Sequence, residues 1–306
     1  MKAIGRTVGI AKLLTFPLLL LIMLIGSTSL SSELSELVRE GMRLSVGAII
    51  PSVFPFIILA DLIVTSSESA GARLPTRPIE HLFGISPTSS IAFLVGSIAG
   101  APIAAVMLSR ALKDGQISYD EAERTLAISS SPSLAFAVSG IGAAMWSDVR
   151  IGVLLYLSVI LASIIYAALT RKSRSLCTSD RPLGYSRFDI MSSIEKATFT
   201  SLRIVGVVTA FSVISGLVAH ISAIAPFAIS LLEVGNAASY LSECALPRSV
   251  ALTMTAFALG FSGISIHLQV MGAVGGEIRY SRFLFSKILI GLGAAAIFSI
   301  AWLLIK

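Results

Sequence analysis

The chain alternates between long stretches free of Asp, Glu, Lys and Arg and short clusters that hold nearly all of its charge. Eight such apolar stretches stand out, at 13–32, 44–60, 89–109, 125–147, 151–170, 204–232, 249–276 and 288–305. An α-helix needs roughly 20 residues to cross the hydrocarbon core of a bilayer, and most of these stretches have that length. Their apolar residues do not alternate with a period of two, as the strands of a membrane barrel would. Backbone N–H and C=O groups in lipid have to pair within their own segment, which leaves helices. The expected fold is all-α: a polytopic membrane protein of about 6–8 transmembrane helices.

Composition supports this and removes other classes. Of 306 residues, 55% are hydrophobic and 13% charged, whereas a soluble domain carries about 25% charge. Lipid must cover the surface that charge cannot. The net charge of +6 reads as the basic bias of cytoplasmic loops, so no nucleic-acid partner is expected. Cys177 and Cys244 lie too far apart for a metal spacing or a disulfide framework. No phosphate-binding loop, dinucleotide fingerprint or zinc-protease motif is present, and no nucleophile is spaced to meet a base. Neither an enzyme nor a cofactor is expected.

Basic residues order the topology. Lys2, Arg6 and Lys12 place the N-terminus in the cytoplasm. The apolar run behind them, through Phe16-Pro17-Leu18 to Ile25, lacks a small-residue cleavage site and reads as a retained signal anchor in the cell membrane. An outer loop is expected over 27–38, a second helix from Arg39 to Val64, an inner loop at Arg73 and Arg77, a helix over 89–109 and an outer loop over 110–124. If 125–147 crossed fully, the most basic loop, with Arg171, Lys172, Arg174, Arg181 and Arg187, would face outward. A re-entrant hairpin returns that loop to the cytoplasm. The serines and proline of 129–133 make a poor helix interior, and broken backbone at membrane depth survives only inside protein or beside a cavity. Pro226 and the stretch Glu233-Val234-Gly235-Asn236 mark a second interrupted segment. The chain thus divides into an N-terminal helix and outer loop (1–38), a first membrane repeat (39–170), a basic cytoplasmic linker (171–194) and a second repeat (195–306).

The division into repeats rests on matched positions. Phe93 and Gly96 lie over Phe257 and Gly260, Gly115-Gln116-Ile117-Ser118-Tyr119 over Gly276-Glu277-Ile278-Arg279-Tyr280, and Glu80 before Phe83-Gly84 over Glu233 before Gly235. The copies run in opposite directions in the topology above. Inverted repeats with discontinuous helices are the pattern of secondary transporters, whose site lies near the midplane at the repeat interface.

The same residues carry a resemblance. Pro51-Ser52-Val53-Phe54-Pro55-Phe56, Gly115 to Glu123, Leu232 to Asn236, and Gly263-Ile264-Ser265-Ile266-His267-Leu268-Gln269-Val270 resemble the sporulation integral membrane proteins of the YlbJ type. These fall within the wider nucleoside-recognition, or Gate, domain group. The likeness covers about residues 40–290. Family members usually read Gly-Tyr-Pro-x-Gly-Ala-Lys in the third helix, where this chain has Gly96 to Pro102 and no lysine. They usually have Asn-x-x-Gly-Pro where this chain has Ser129-Ser130-Ser131-Pro132-Ser133, and Thr-Asn where it has Gly235-Asn236.

The candidate solute or ion site is drawn from the interrupted segments: Glu233, Asn236, His267, Gln269, Glu80, Ser129, Ser130 and Ser131. An acid inside an apolar stretch is expensive and functional by default, which singles out Glu233. Glu80 reads either as a ligand or as an interfacial charge beside Arg77. Asn236 either meets solute or satisfies freed carbonyls, and His267 is either a ligand or a satisfied core histidine. The serines either line a pocket or pack helices closely. The expected function is a secondary transporter or permease for a small polar solute, nucleoside-like if the name of the domain group is followed, coupled to an ion or to nothing. The alternative is a non-transporting scaffold or accessory protein of a sporulation-like maturation complex. On either reading the lipid bilayer surrounds the chain, and a second copy of it or another membrane protein is a candidate partner.

Overall fold

The computed structural model describes residues 31–69, 76–171, 189–219, 224–274 and 278–305. The expected signal anchor, Cys177 and most of the basic linker lie outside them. The described chain is all-α. Helix α1 spans Ser31–Leu44, with Glu33 in its first turn and Arg43 in its last. It continues through a π-helical stretch, Ser45–Ile49, into α2 (Ile50–Ser69). Residues 31–38 of the expected outer loop are already helical, and the boundary drawn at 38 falls within a helix.

Helices α3 (Arg77–Phe83) and α4 (Pro87–Ala99) meet at a bend of 100°. The helix expected over 89–109 is in fact two, because Gly100 (φ 101°, ψ 169°) separates α4 from α5 (Ala101–Lys113). Only glycine adopts that backbone without strain, and Pro102 in the first turn of α5 has no N–H to continue the preceding helix. The expected loop over 110–124 shrinks to 114–118, since Ser118 caps α6 (Tyr119–Ser129) by accepting from the Glu121 N–H at 3.3 Å. Helix α6 ends where the serines and Pro132 were expected to break it. A second π-helical stretch, Phe136–Met145, follows.

Next come α7 (Val149–Leu169), α8 (Ile190–Ala219), α9 (Ala225–Leu232), α10 (Val234–Glu243), α11 (Arg248–Phe261), α12 (Gly263–Val274) and α13 (Tyr280–Ile305). The segment with Pro226 and Glu233 is a broken helix, α9–α10, as expected. The helix expected over 249–271 is also interrupted, at Ser262. Among the described residues, five helical stretches are long and apolar enough to cross a membrane: Ser32–Leu59, Val149–Leu169, Ile190–Ala219, Arg248–Val274 and Tyr280–Ile305. The bent α3–α4 pair makes six if it counts as one span.

Helix α13 packs along α11 and α7, while α1 and α2 lie along α8. Helix α5 packs against α12. The α11–α13 contact is close because both sides offer glycine: a Cβ on Gly260 would stand 2.8 Å from the Gly291 Cα. Small residues at such crossings let backbones approach, which is how helices associate where lipid supplies no hydrophobic drive. Leu157, Leu161, Phe199, Leu202, Ile300 and Leu304 are exposed on the outer faces of α7, α8 and α13. In water this would be a liability; against lipid tails it costs nothing.

Candidate functional site

Four interruptions meet inside the bundle: Gly100, the serine stretch after α6, Glu233, and Ser262–Gly263. An interrupted helix frees backbone groups that have no water to bond, so their partners identify what holds the breaks. The Ser130 carbonyl at the end of α6 accepts the Lys287 ammonium at 2.7 Å and the Ser262 hydroxyl at 2.8 Å. The Ser131 carbonyl accepts the Ala101 N–H at 3.1 Å, from the first residue after Gly100. Ser262 is left-handed (φ 74°), as is Gly263 (φ 63°). A Cβ on Gly263 would lie 3.1 Å from the Leu232 carbonyl and 3.2 Å from the Glu233 Cα. The Ser262–Gly263 break thus touches Ser130 through one residue and Glu233 through the next.

Glu233 is extended between α9 and α10 and 4% exposed. Its carboxylate caps α10, accepting the Asn236 N–H at 2.7 Å, with the N–H groups of Val234 and Gly235 also directed at it. The positive end of α10 is therefore its counter-charge. Asn236 ties α10 to α8: its Oδ1 accepts from the Ser212 hydroxyl at 2.6 Å, and its Nδ2 donates to the Val208 carbonyl at 3.4 Å.

His267, on α12, is fully buried. Its Nε2 lies 2.8 Å from the Phe261 carbonyl, one of those freed at the end of α11, and its Nδ1 lies 3.3 Å from the Tyr280 hydroxyl. A carbonyl only accepts, so Nε2 carries the proton and Nδ1 accepts from the tyrosine. Phe283, one turn before Lys287, packs edge-on against the ring at 5.0 Å.

Of the residues singled out from sequence, Ser129, Ser130, Ser131, Glu233, Asn236 and His267 lie at or beside these breaks. Ser129 bonds back to the Thr125 carbonyl at 2.7 Å, while the buried hydroxyls of Ser130 and Ser131 have no partner. Gln269 is half-buried and stands outside the network. Glu80 accepts from the Thr76 hydroxyl at 2.7 Å on α3, which packs against α4 and α7. It is not brought to Glu233. Lys287 and Ser262 are the functional candidates that sequence reasoning missed. Lys287 stands one residue before the run 288–305 and was not singled out. The signal was upstream, since Phe283-Leu284-Phe285 continues the apolar run past it.

A second polar region lies where α6 and α13 begin and α7 finishes. Arg282 pairs with Glu123 at 2.8 Å, whose other oxygen accepts the Arg279 N–H at 3.1 Å. Arg124 donates to the Thr170 carbonyl at 3.4 Å and the Gly84 carbonyl at 3.5 Å, closing the ends of α7 and α3. A groove of about 380 Å³ opens here, lined by Asp120, Arg124, Tyr166 and Ser286 among others. Among the described residues, no three His, Cys, Asp or Glu side chains gather to hold a metal ion.

The molecule is thus an all-α, multi-pass membrane protein whose interior is organised around interrupted helices. It is similar to the sporulation integral membrane protein YlbJ of Bacillus subtilis (strain 168), at 22% identity over 317 aligned positions that cover 87% of this chain and 77% of the relative. That is a distant relationship, at the level of a family. No protein-family model matches the chain, and no solved structure does.

Proposed function

We propose that the chain is a secondary carrier that moves a small polar solute across the cell membrane, with its N-terminus in the cytoplasm and no catalytic chemistry of its own. The observation that carries this reading is the meeting of four helix breaks around two buried charges, Glu233 and Lys287. A charge at the centre of a membrane helix costs about 2.5–3.5 kcal/mol on insertion scales. Interrupted helices in an all-helical membrane protein serve to point backbone groups and helix ends at solute and ion. The inverted repeat belongs to this proposal. Gly100 and Ser262–Gly263 interrupt the two copies at nearly matching places, shortly after Gly96 and Gly260, and the segments beyond them, α5 and α12, pack together. Rocking one copy against the other would open the junction to each side in turn, with an ion as coupling partner.

A specific observation favours a second reading. The Ser130 carbonyl, Asn236 and His267 are all satisfied within the protein, as a rigid scaffold for a sporulation-like complex would require. Initial uptake into proteoliposomes, over a panel of labelled polar solutes with and without imposed proton or sodium gradients, separates the two. The carrier moves at least one solute, and Glu233→Gln cuts gradient-driven accumulation about tenfold, equivalent to about 1.4 kcal/mol. Absence of uptake under every gradient would leave the scaffold.

A further inference from the structure

The polar groups at the junction differ in what they leave open, and the difference selects a class of solute. Glu233 faces three N–H groups of α10, so its carboxylate is already met by donors. The Ser130 carbonyl is taken by two donors. Lys287 is the opposite case. Its ammonium has three N–H donors and one bond, to Ser130, with no carboxylate in ion-pairing distance among the described residues. The hydroxyls of Ser130 and Ser131 in one break, and of Ser265 just past the other, are buried without partners. The junction therefore has a cation with unused donors and hydroxyls free to donate to a solute, while its backbone carbonyl and its carboxylate are already engaged. A cation would be repelled by the ammonium, and a neutral solute would leave it without a counter-charge.

We infer that the transported solute is an anion, a carboxylate or phosphate group bound by Lys287 with hydroxyls of the serine break. This rests on the carrier reading above. In the closed conformation the Ser130 carbonyl occupies the ammonium in the solute's absence. Opening the junction separates Ser130 from Lys287 and Ser262 and frees the donors together.

The test uses solute pairs that differ only in charge: lactate against lactamide, and uridine monophosphate against uridine. The full chain is assayed for uptake in proteoliposomes and for thermal stabilisation in detergent. One anion of a pair is expected to enter at least about tenfold faster than its neutral partner and to be the one that stabilises the protein. Which pair responds tells carboxylate from phosphate. Lys287→Met should erase the preference, and Lys287→Arg should keep part of it. Should Lys287→Met fail to fold, wild-type selectivity across the pairs still decides. Equal uptake of the neutral partners overturns the anion inference and leaves the carrier standing. No uptake of any solute, under any gradient, overturns both.

Discussion

Glu233 and Lys287 flank the same break, and each meets a helix end of opposite polarity: the carboxylate at the start of α10, the ammonium at the finish of α6. The fold has used the partial charges of its own interrupted helices as counter-ions. The two solutions are not equivalent. Glu233 is local, a cap three residues from its partner, and would form whenever α10 forms. Lys287 reaches across the molecule to a carbonyl 157 residues away and uses one of three donors. One charge belongs to the secondary structure, and the other depends on the tertiary fold.

The largest effect should come from Gly263→Val, which presses a side chain between Leu232 and Glu233 at a left-handed backbone position. A loss of about 2–3 kcal/mol is expected, read from unfolding in mixed micelles, with the α9–α10 break displaced. Glu233→Ala comes next, at about 1–2 kcal/mol for the lost cap, while Glu233→Gln, which keeps an acceptor, stays within a few tenths. Asn236→Ala should cost about 1 kcal/mol. A double-mutant cycle with Ser212→Ala would show their coupling, and additivity would place the tie between α8 and α10 elsewhere. For Lys287→Met the expected change in stability is near zero or favourable, because replacing a buried charge by an apolar side chain of similar length relieves desolvation. A loss as large as that of Glu233→Ala would erase the contrast and make Lys287 a second structural cap. The smallest change is expected for Gln269→Ala, within about 0.5 kcal/mol, since it bonds to none of these groups.

How legible this was in the sequence depended on whether a break announces itself by composition. The all-helical membrane class followed from uncharged runs of spanning length. Pro132 among serines, and Glu233 before Gly235, marked two interruptions correctly because proline, serine and a charge each oppose a continuous apolar helix. Gly100 and Ser262 lay inside runs where small residues also serve close packing, so backbone geometry alone separates a packing glycine such as Gly260 from a breaking one such as Gly100. Glu80 was set against Glu233 by motif position, but α3 is short, bends sharply into α4, and keeps Glu80 half-buried beside Thr76. Lys287 was hidden because charge was read as the border of a span, and here it lies two turns inside α13.

The bond between Lys287 and Ser130 also sets a timetable for biogenesis. At roughly 5–20 residues per second, the ribosome needs about 8–30 s to make the 157 residues between them. Ser262, the other donor, comes 132 residues after Ser130, only slightly sooner. Until those donors arrive, the carbonyl at the end of α6 lacks both side-chain partners it has in the folded protein. The early half of the chain therefore has to be sheltered by the insertion apparatus, or by a neighbouring membrane chaperone, until the final helix arrives. Release of the nascent protein before α13 is complete should send it to membrane proteolysis.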